Sequence, residues 1–159
     1  MKTYIGIDNG VTGSIGIITD TSSVQLPTPV KKEQSYTKAK QNITRIQVTE
    51  LEDILKEFKD TNCLIILERP MVNPGRFKAT VSALRALEAT LCTIEQLELP
   101  YMYIDSKEWQ RNLLPKGVKG APALKQASHD KGKQLFPSIK QKGDYDGILI
   151  AYYAKINNL

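Results

Sequence analysis

Histidine and cysteine are scarce in this chain, whose 159 residues hold one His and two Cys. That scarcity excludes a Cys/His zinc centre and a disulfide framework. Cys63 and Cys92 sit inside apolar segments with no second Cys or His at metal spacing, and they read as buried free thiols of a reducing compartment. Long hydrophobic runs are missing too. No stretch approaches the roughly 20 apolar residues of a membrane span. The N-terminus opens into a strand-like run, Thr3 to Ile7, rather than a charged-then-apolar leader. The expectation is a cytoplasmic protein with no membrane partner. Internal repeats and low-complexity segments are also absent.

What remains is an ordinary globular composition, 41% hydrophobic and 25% charged, of a length suited to one continuous core. A single domain spanning residues 1–159 is expected. The formal charge of +5 is modest, but its distribution is uneven. Between Lys107 and Lys142 the basic residues Lys107, Arg111, Lys116, Lys119, Lys125, Lys131, Lys133, Lys140 and Lys142 face only Glu108 and Asp130. A surface that tracks a phosphate backbone needs such an excess, although a solvated lysine face gives the same totals.

Thr3–Asp8 and Ser14–Thr19 read as a hairpin around Gly10 and Gly13, and Val24–Leu26 as a short third strand of the same meander. Val30–Asn42 is polar, Lys-rich and aperiodic, and is expected to be a mobile loop. Thr49 and Glu52 form a capping-box pattern opening a helix to about Lys59. Cys63–Leu67 is a continuous apolar run of the kind buried on both faces of a sheet. Leu84, Leu87, Leu91 and Ile94 mark a long helix from about Lys78 to Glu98. Tyr101–Ile104 reads as a strand, Ser106 as the cap of a short helix to Leu113, and about Ala123–Leu135 and the segment around Ile148–Ile156 as helices. This order implies an α/β fold: a mixed central sheet, with a three-stranded antiparallel meander followed by parallel strands and helices on both faces.

Asp8 ends the first strand and Glu68 ends the apolar one. If those strands are parallel neighbours, both acids emerge at the sheet edge where α/β proteins place their sites. A charged Glu ending an apolar strand needs a partner, and a divalent cation serves. Asp144 and Asp146 stand at the start of the last helix. Both can face one metal only if Asp144 lies at the cap; otherwise Asp144 is an N-cap and Asp146 a first-turn acid. Three or four acids that share hard cations can activate a water against a phosphodiester, without Cys or His.

The stretches Tyr4-Ile-Gly-Ile-Asp-Asn-Gly-Val-Thr-Gly-Ser14, Ile66-Leu-Glu-Arg-Pro70 and Gly143-Asp-Tyr-Asp-Gly-Ile-Leu-Ile-Ala151 resemble the RuvC-type Holliday junction resolvases. Met71–Lys78, Asp105–Gln110 and Leu135-Phe-Pro137 resemble their bacteriophage branch. The resemblance covers nearly the whole chain. It implies a ribonuclease H-like fold and two Mg2+ ions per site, with Mn2+ able to substitute. It further implies a homodimer acting on branched DNA in the host cytoplasm, where it resolves four-way junctions by paired nicks.

Carried over by position, Asp8, Glu68 and Asp146 correspond to metal-binding acids. The family places an Asp or His three residues before the last Asp. Here that position is Gly143, so the resemblance implies that Asp144 substitutes through a local shift. Lys125 corresponds to a lysine near the scissile phosphate, against the alternative of a solvated helix lysine. Phe77 and Met71 fall where the family inserts a side chain into the junction, against the alternative of packing on the following helix. Arg69, Arg76, Lys78, Lys107, Lys116 and Lys119 are candidate DNA contacts. His129 is read as a surface residue and Trp109 as core.

Three rival readings stand. The first is a non-catalytic binder of branched DNA with the same fold, and the second a nuclease of that fold acting on RNA–DNA hybrids or flaps. The third is a nucleotide phosphate-binding domain of the sugar kinase and actin type, which the Gly6–Ser14 segment also resembles but which needs two such domains.

Overall fold

The computed structural model describes residues 2–140 and 144–159. Its centre is a five-stranded sheet of β1 (Thr3–Ile7), β2 (Ser14–Ile18), β3 (Ser23–Pro27), β6 (Cys63–Glu68) and β7 (Tyr101–Ile104), in the order β3-β2-β1-β6-β7. Pairing is antiparallel from β3 through β1 and parallel from β1 through β7. The meander followed by parallel strands is therefore as the sequence implies.

Alternation along the strands sorts the core onto two faces. Ile5, Ile7, Ile15, Ile17, Ile65 and Leu67 pack beneath α1 (Val48–Leu55) and α2 (Phe77–Gln96). Tyr4, Ile18, Ile66 and Ile104 face α3 (Ser106–Leu113) and α5 (Asp146–Ile156), with α4 (Ala121–Leu135) packed alongside. Both faces are thus covered by helices.

Two strand glycines set the distance of α5. Gly6 and Gly16 are directly paired across β1 and β2. A Cβ on Gly6 would lie 2.2 Å from the carbonyl oxygen of Gly147, and one on Gly16 would lie 2.2 Å from the Ile148 backbone. Gly147 reciprocates, since its own Cβ would meet the Ser14 carbonyl oxygen at 2.7 Å. Backbone meets backbone here because three side chains are missing.

Several local expectations are corrected. Val30–Asn42, expected as a loop, instead opens an antiparallel ribbon, β4 (Val30–Gln34) on β5 (Asn42–Ile46), separate from the main sheet. Its polar, lysine-rich strands hide the alternation, because only Ile46 is buried. The capping box does not form: α1 begins at Val48 after Gln47, with no side-chain cap, so Thr49 already lies within the helix. Ser106 is the first residue of α3 rather than its cap, which is Asp105. Cys63 is buried as expected, but Cys92 lies exposed on α2.

Candidate metal centre and its surroundings

Tyr4, Gly6 and Asp8 share one side of β1, and Leu64, Ile66 and Glu68 share the same side of β6 by the parallel register Tyr4↔Leu64 and Gly6↔Ile66. Both acids therefore leave the sheet at one edge and on the face that α5 covers. The close seating of α5 then brings its first residue, Asp146, to that edge. One carboxylate oxygen from each of Asp8, Asp144 and Asp146 falls within 4.8 Å of the others, and all three residues are partly buried.

Glu68 flanks this group. Its Oε2 accepts a 2.7 Å hydrogen bond from the indole Nε1 of the fully buried Trp109 on α3. Trp109 is a core residue, as the sequence suggests, but it also fixes the orientation of Glu68.

The Asp144 carboxylate bonds to the opening of α5 and also faces Asp8 and Asp146. The residue before α5 is Tyr145, and Asp144 precedes it. Asp144 Oδ1 accepts the Asp146 N–H at 2.6 Å and the Ser14 hydroxyl at 3.1 Å. The Ser14 Oγ in turn accepts the Gly147 N–H at 3.0 Å. Gln25 on β3 works alongside: its Nε2 donates to the Asp144 carbonyl, and its Oε1 accepts the Ile148 N–H at 2.8 Å. Two buried polar side chains from the sheet thus satisfy the free N–H groups that open α5. The same bonds tether Asp144.

Tyr145 completes the anchoring. Its ring is buried against Gly132 of α4, where a Cβ would lie 2.2 Å from the ring, and its hydroxyl donates to the Ile139 carbonyl at 2.9 Å. Helix α4 turns Lys125, Ser128, His129 and Gly132 toward this segment, the i, i+3, i+4, i+7 spacing of one helical face. His129 meets the Tyr145 ring edge-on at 5.5 Å. With Lys125, Pro122, Gln126 and Asp144 it lines a cleft of about 450 Å³. His129 therefore belongs to the wall of the site rather than to open surface.

Crowding of like charges in a partly dry site governs the ionisation. Burial, followed by repulsion from Asp144, Glu68 and Asp146, holds the Asp8 carboxyl well above the ordinary range. Burial raises Glu68 to about 7, against the stabilising Trp109 hydrogen bond. Burial and then Asp144 raise Asp146 to about 6, offset by the Ser128 hydroxyl and the positive charge of Lys125. The buried Oδ1 of Asp146 has no hydrogen-bond partner among the described residues. An orphaned carboxylate oxygen, beside two more acids and with only oxygen donors, fits a hard divalent cation such as Mg2+ or Mn2+.

The remaining candidates lie around this centre. The segment after Glu68 leaves Met71 and Phe77 three-quarters exposed, at 76% and 73%. Phe77 is the first residue of α2 and does not pack on that helix's core face. Arg76 and Lys78 are exposed beside it. Arg69 is held by Asp105 at 3.1 Å and lies over the Tyr103 ring at 4.8 Å. With Glu68, Lys107 and Arg111 it lines a groove along the mouth of the site. Lys116 and Lys119 are exposed on the α3–α4 linker, and Lys119 lines a different cleft, with Asp130 and Lys131.

No protein-family model matches the chain, and no curated protein does. Among solved structures it is similar to T. thermophilus RuvC in complex with Holliday junction substrate. The TM-score is 0.62 at 11% identity, over 99% of this chain and 95% of that one. A second Thermus thermophilus RuvC structure aligns at TM-score 0.54 and 13% identity, covering 98% and 96% of the two chains. The chain has a RuvC-like, ribonuclease H-like fold. In that RuvC-like frame the acids stand at the carboxyl-terminal edge of β1 and β6. No helix of the described residues is long and apolar enough to cross a membrane.

Proposed function

We propose that this protein is a metal-dependent, structure-selective endodeoxyribonuclease that resolves four-way and related branched DNA junctions. One observation carries the reading: Asp8, Asp144 and Asp146 converge within 4.8 Å beside Glu68, and the buried Asp146 Oδ1, without a hydrogen-bond partner among the described residues, suits a cation ligand. The likeness to a RuvC structure in complex with a Holliday junction supports the choice of substrate.

Asp8, Glu68, Asp144 and Asp146 would hold Mg2+ or Mn2+, two ions per site. Cations there supply Lewis-acid polarisation of the phosphodiester and lower the pKa of an attacking water. Around them, Trp109 orients Glu68, Ser14 and Gln25 fix Asp144, and Lys125 brings positive charge to the phosphate beside Asp146. Arg69, Arg76, Lys78, Lys107, Lys116 and Lys119 are assigned to the DNA backbone, and the exposed Phe77, with Met71, to the junction opening. We assign residues 1–159 to one nuclease domain, of the bacteriophage branch and working in the host cytoplasm. It acts as a homodimer, because paired cuts need two sites; the exposed Leu84 of α2 supports a dimer surface on that helix.

The test is a cleavage panel of four-way junction, flap, RNA–DNA hybrid and plain duplex, each in Mg2+ and in Mn2+. The junction is expected to be nicked fastest, and Glu68→Gln should slow cutting by about a hundredfold or more while leaving junction binding intact. Failure to cut any branched DNA in either metal would falsify the enzyme reading. Asp144→Asn is expected to cost far more activity than thermal stability.

A further inference from the structure

We propose that the β4–β5 ribbon is a second DNA-contacting surface, which clamps a duplex arm by its backbone and stacks Tyr36 on a base exposed near the branch. This rests on the reading that the chain acts on branched DNA. Residues 30–46 carry Lys31, Lys32, Lys38, Lys40 and Arg45 against one acid, Glu33. Their excess of +4 falls in about a tenth of the chain's length and is separate from the basic segment Lys107–Lys142. Glu33 is engaged by Arg45 and, at 3.3 Å, by Lys31. Among the described residues, Lys32, Lys38 and Lys40 have no carboxylate partner and are exposed. Tyr36, near the tip, is 77% exposed.

The ribbon is held to the body of the chain through β5, which packs beside α2, and of its strand residues only Ile46, at the root, is fully buried, so its outer strand and tip stay free to meet a partner. The root starts at the same end of the sheet as the acids, on the face that carries α1 and α2, where Ile46 is buried. Ser14 pairs with Pro27 at the edge from which Asp8 emerges, and Thr28 donates to the Gly13 carbonyl at 3.0 Å. The ribbon is closed at that same edge by Gln47 donating to the Pro29 carbonyl at 2.9 Å. Four residues of strand, at about 3.3 Å each, then carry the end of the ribbon roughly 13 Å from its root. Cationic side chains with an aromatic among them match a phosphate backbone and an unstacked base better than they match a protein surface.

The experiment uses the full chain carrying Asp8→Asn, so that DNA is bound without being cut. Anisotropy titrations on a labelled four-way junction and a plain duplex are run from about 50 to 250 mM salt. Replacing Lys32, Lys38 and Lys40 together by Gln should weaken junction binding about tenfold or more and lower the slope of log Kd against log salt by about 2 to 3. Tyr36→Ala should weaken junction binding about tenfold with little change on duplex, and Tyr36→Phe should restore it. Lys56→Gln with Lys59→Gln, at the opposite end of the sheet, should change neither slope nor affinity. Melting curves check that each variant is folded.

Unchanged affinity and slope in the lysine variant, with the parent still binding the junction, overturn the ribbon's role and leave the nuclease reading standing. A parent that binds no DNA overturns both. Loss of a dimer in sedimentation, with the salt slope unaltered, also overturns it and assigns the ribbon to a second copy of the chain.

Discussion

The two faces of the central sheet are built on opposite plans. Beneath α1 and α2 the strands present Ile and Leu at nearly every inward position, and large side chains keep the helices at ordinary packing distance. Beneath α5 the corresponding positions on β1 and β2 are Gly6 and Gly16, and the rim carries Ser14, Asp8 and Glu68. The first face is a store of hydrophobic stability. On the second, apolar contact is given up locally so that a helix backbone reaches the sheet and places its opening acids beside those of the strands. Stability and placement are thus divided between the two sides of one sheet.

This division can be broken most forcefully at Gly6. Gly6→Ala puts a Cβ against the Gly147 carbonyl, and about 3 kcal/mol of stability should be lost, with α5 displaced. Ile65→Ala, buried on the other face, should cost a comparable amount, about 2 to 5 kcal/mol. The two differ in a second measurement: Mg2+ should still raise the melting temperature of Ile65→Ala but not that of Gly6→Ala. Equal metal response in both would show that the faces are not specialised.

A smaller effect, opposite in sign, is expected at the acids. Asp8, Glu68 and Asp146 all hold protons more tightly in the fold than their ordinary values allow. Their contribution is therefore fully present below the ordinary carboxyl range. It is lost as pH rises, through about 6 for Asp146 and about 7 for Glu68. The metal-free protein should melt at progressively lower temperature from pH 5 to pH 8, and Mg2+ should flatten that decline. Asp8→Asn should raise the melting temperature of the metal-free protein at pH 7.5, because it removes the most crowded of the acids, while abolishing the Mg2+ response. A metal-free protein whose stability rises over this window contradicts the crowding of the acids.

The smallest contrast compares a cap supplied from a distance with one that sequence suggests locally. Gln25→Ala should cost about 1 to 2 kcal/mol and weaken metal binding, because it frees the Ile148 N–H and releases Asp144. Thr49→Ala, which removes half of an apparent capping box, should change stability by no more than about 0.5 kcal/mol in urea titrations.

That last pair also marks what sequence could and could not disclose. Apolar runs with clear boundaries are legible: Tyr101–Ile104 is β7, and Asp8 and Glu68 share a sheet edge on the condition, met by the β1–β6 register, that their strands are parallel neighbours. Asp144 was ambiguous because its role depends on Ser14 and Gln25, more than a hundred residues away, and no local pattern encodes such a bond. The β4–β5 ribbon was misread because exposure on both strands erased its alternation. His129 was set aside because it lies among charged residues, although its place on the inward face of α4 aims it at Tyr145. Gly6, Gly16 and Gly147, sitting inside otherwise regular elements, are a sequence signal for the place where two backbones touch.

Those glycines have a consequence for any survey of mutational tolerance. On the proposed nuclease reading, a screen that scores DNA cutting alone would fail Gly6, Gly16 and Gly147 as completely as the four acids and would take them for chemistry. Scoring cellular abundance alongside activity should separate the two groups, because the glycine variants vanish from the soluble pool whereas the acid variants accumulate as inert protein.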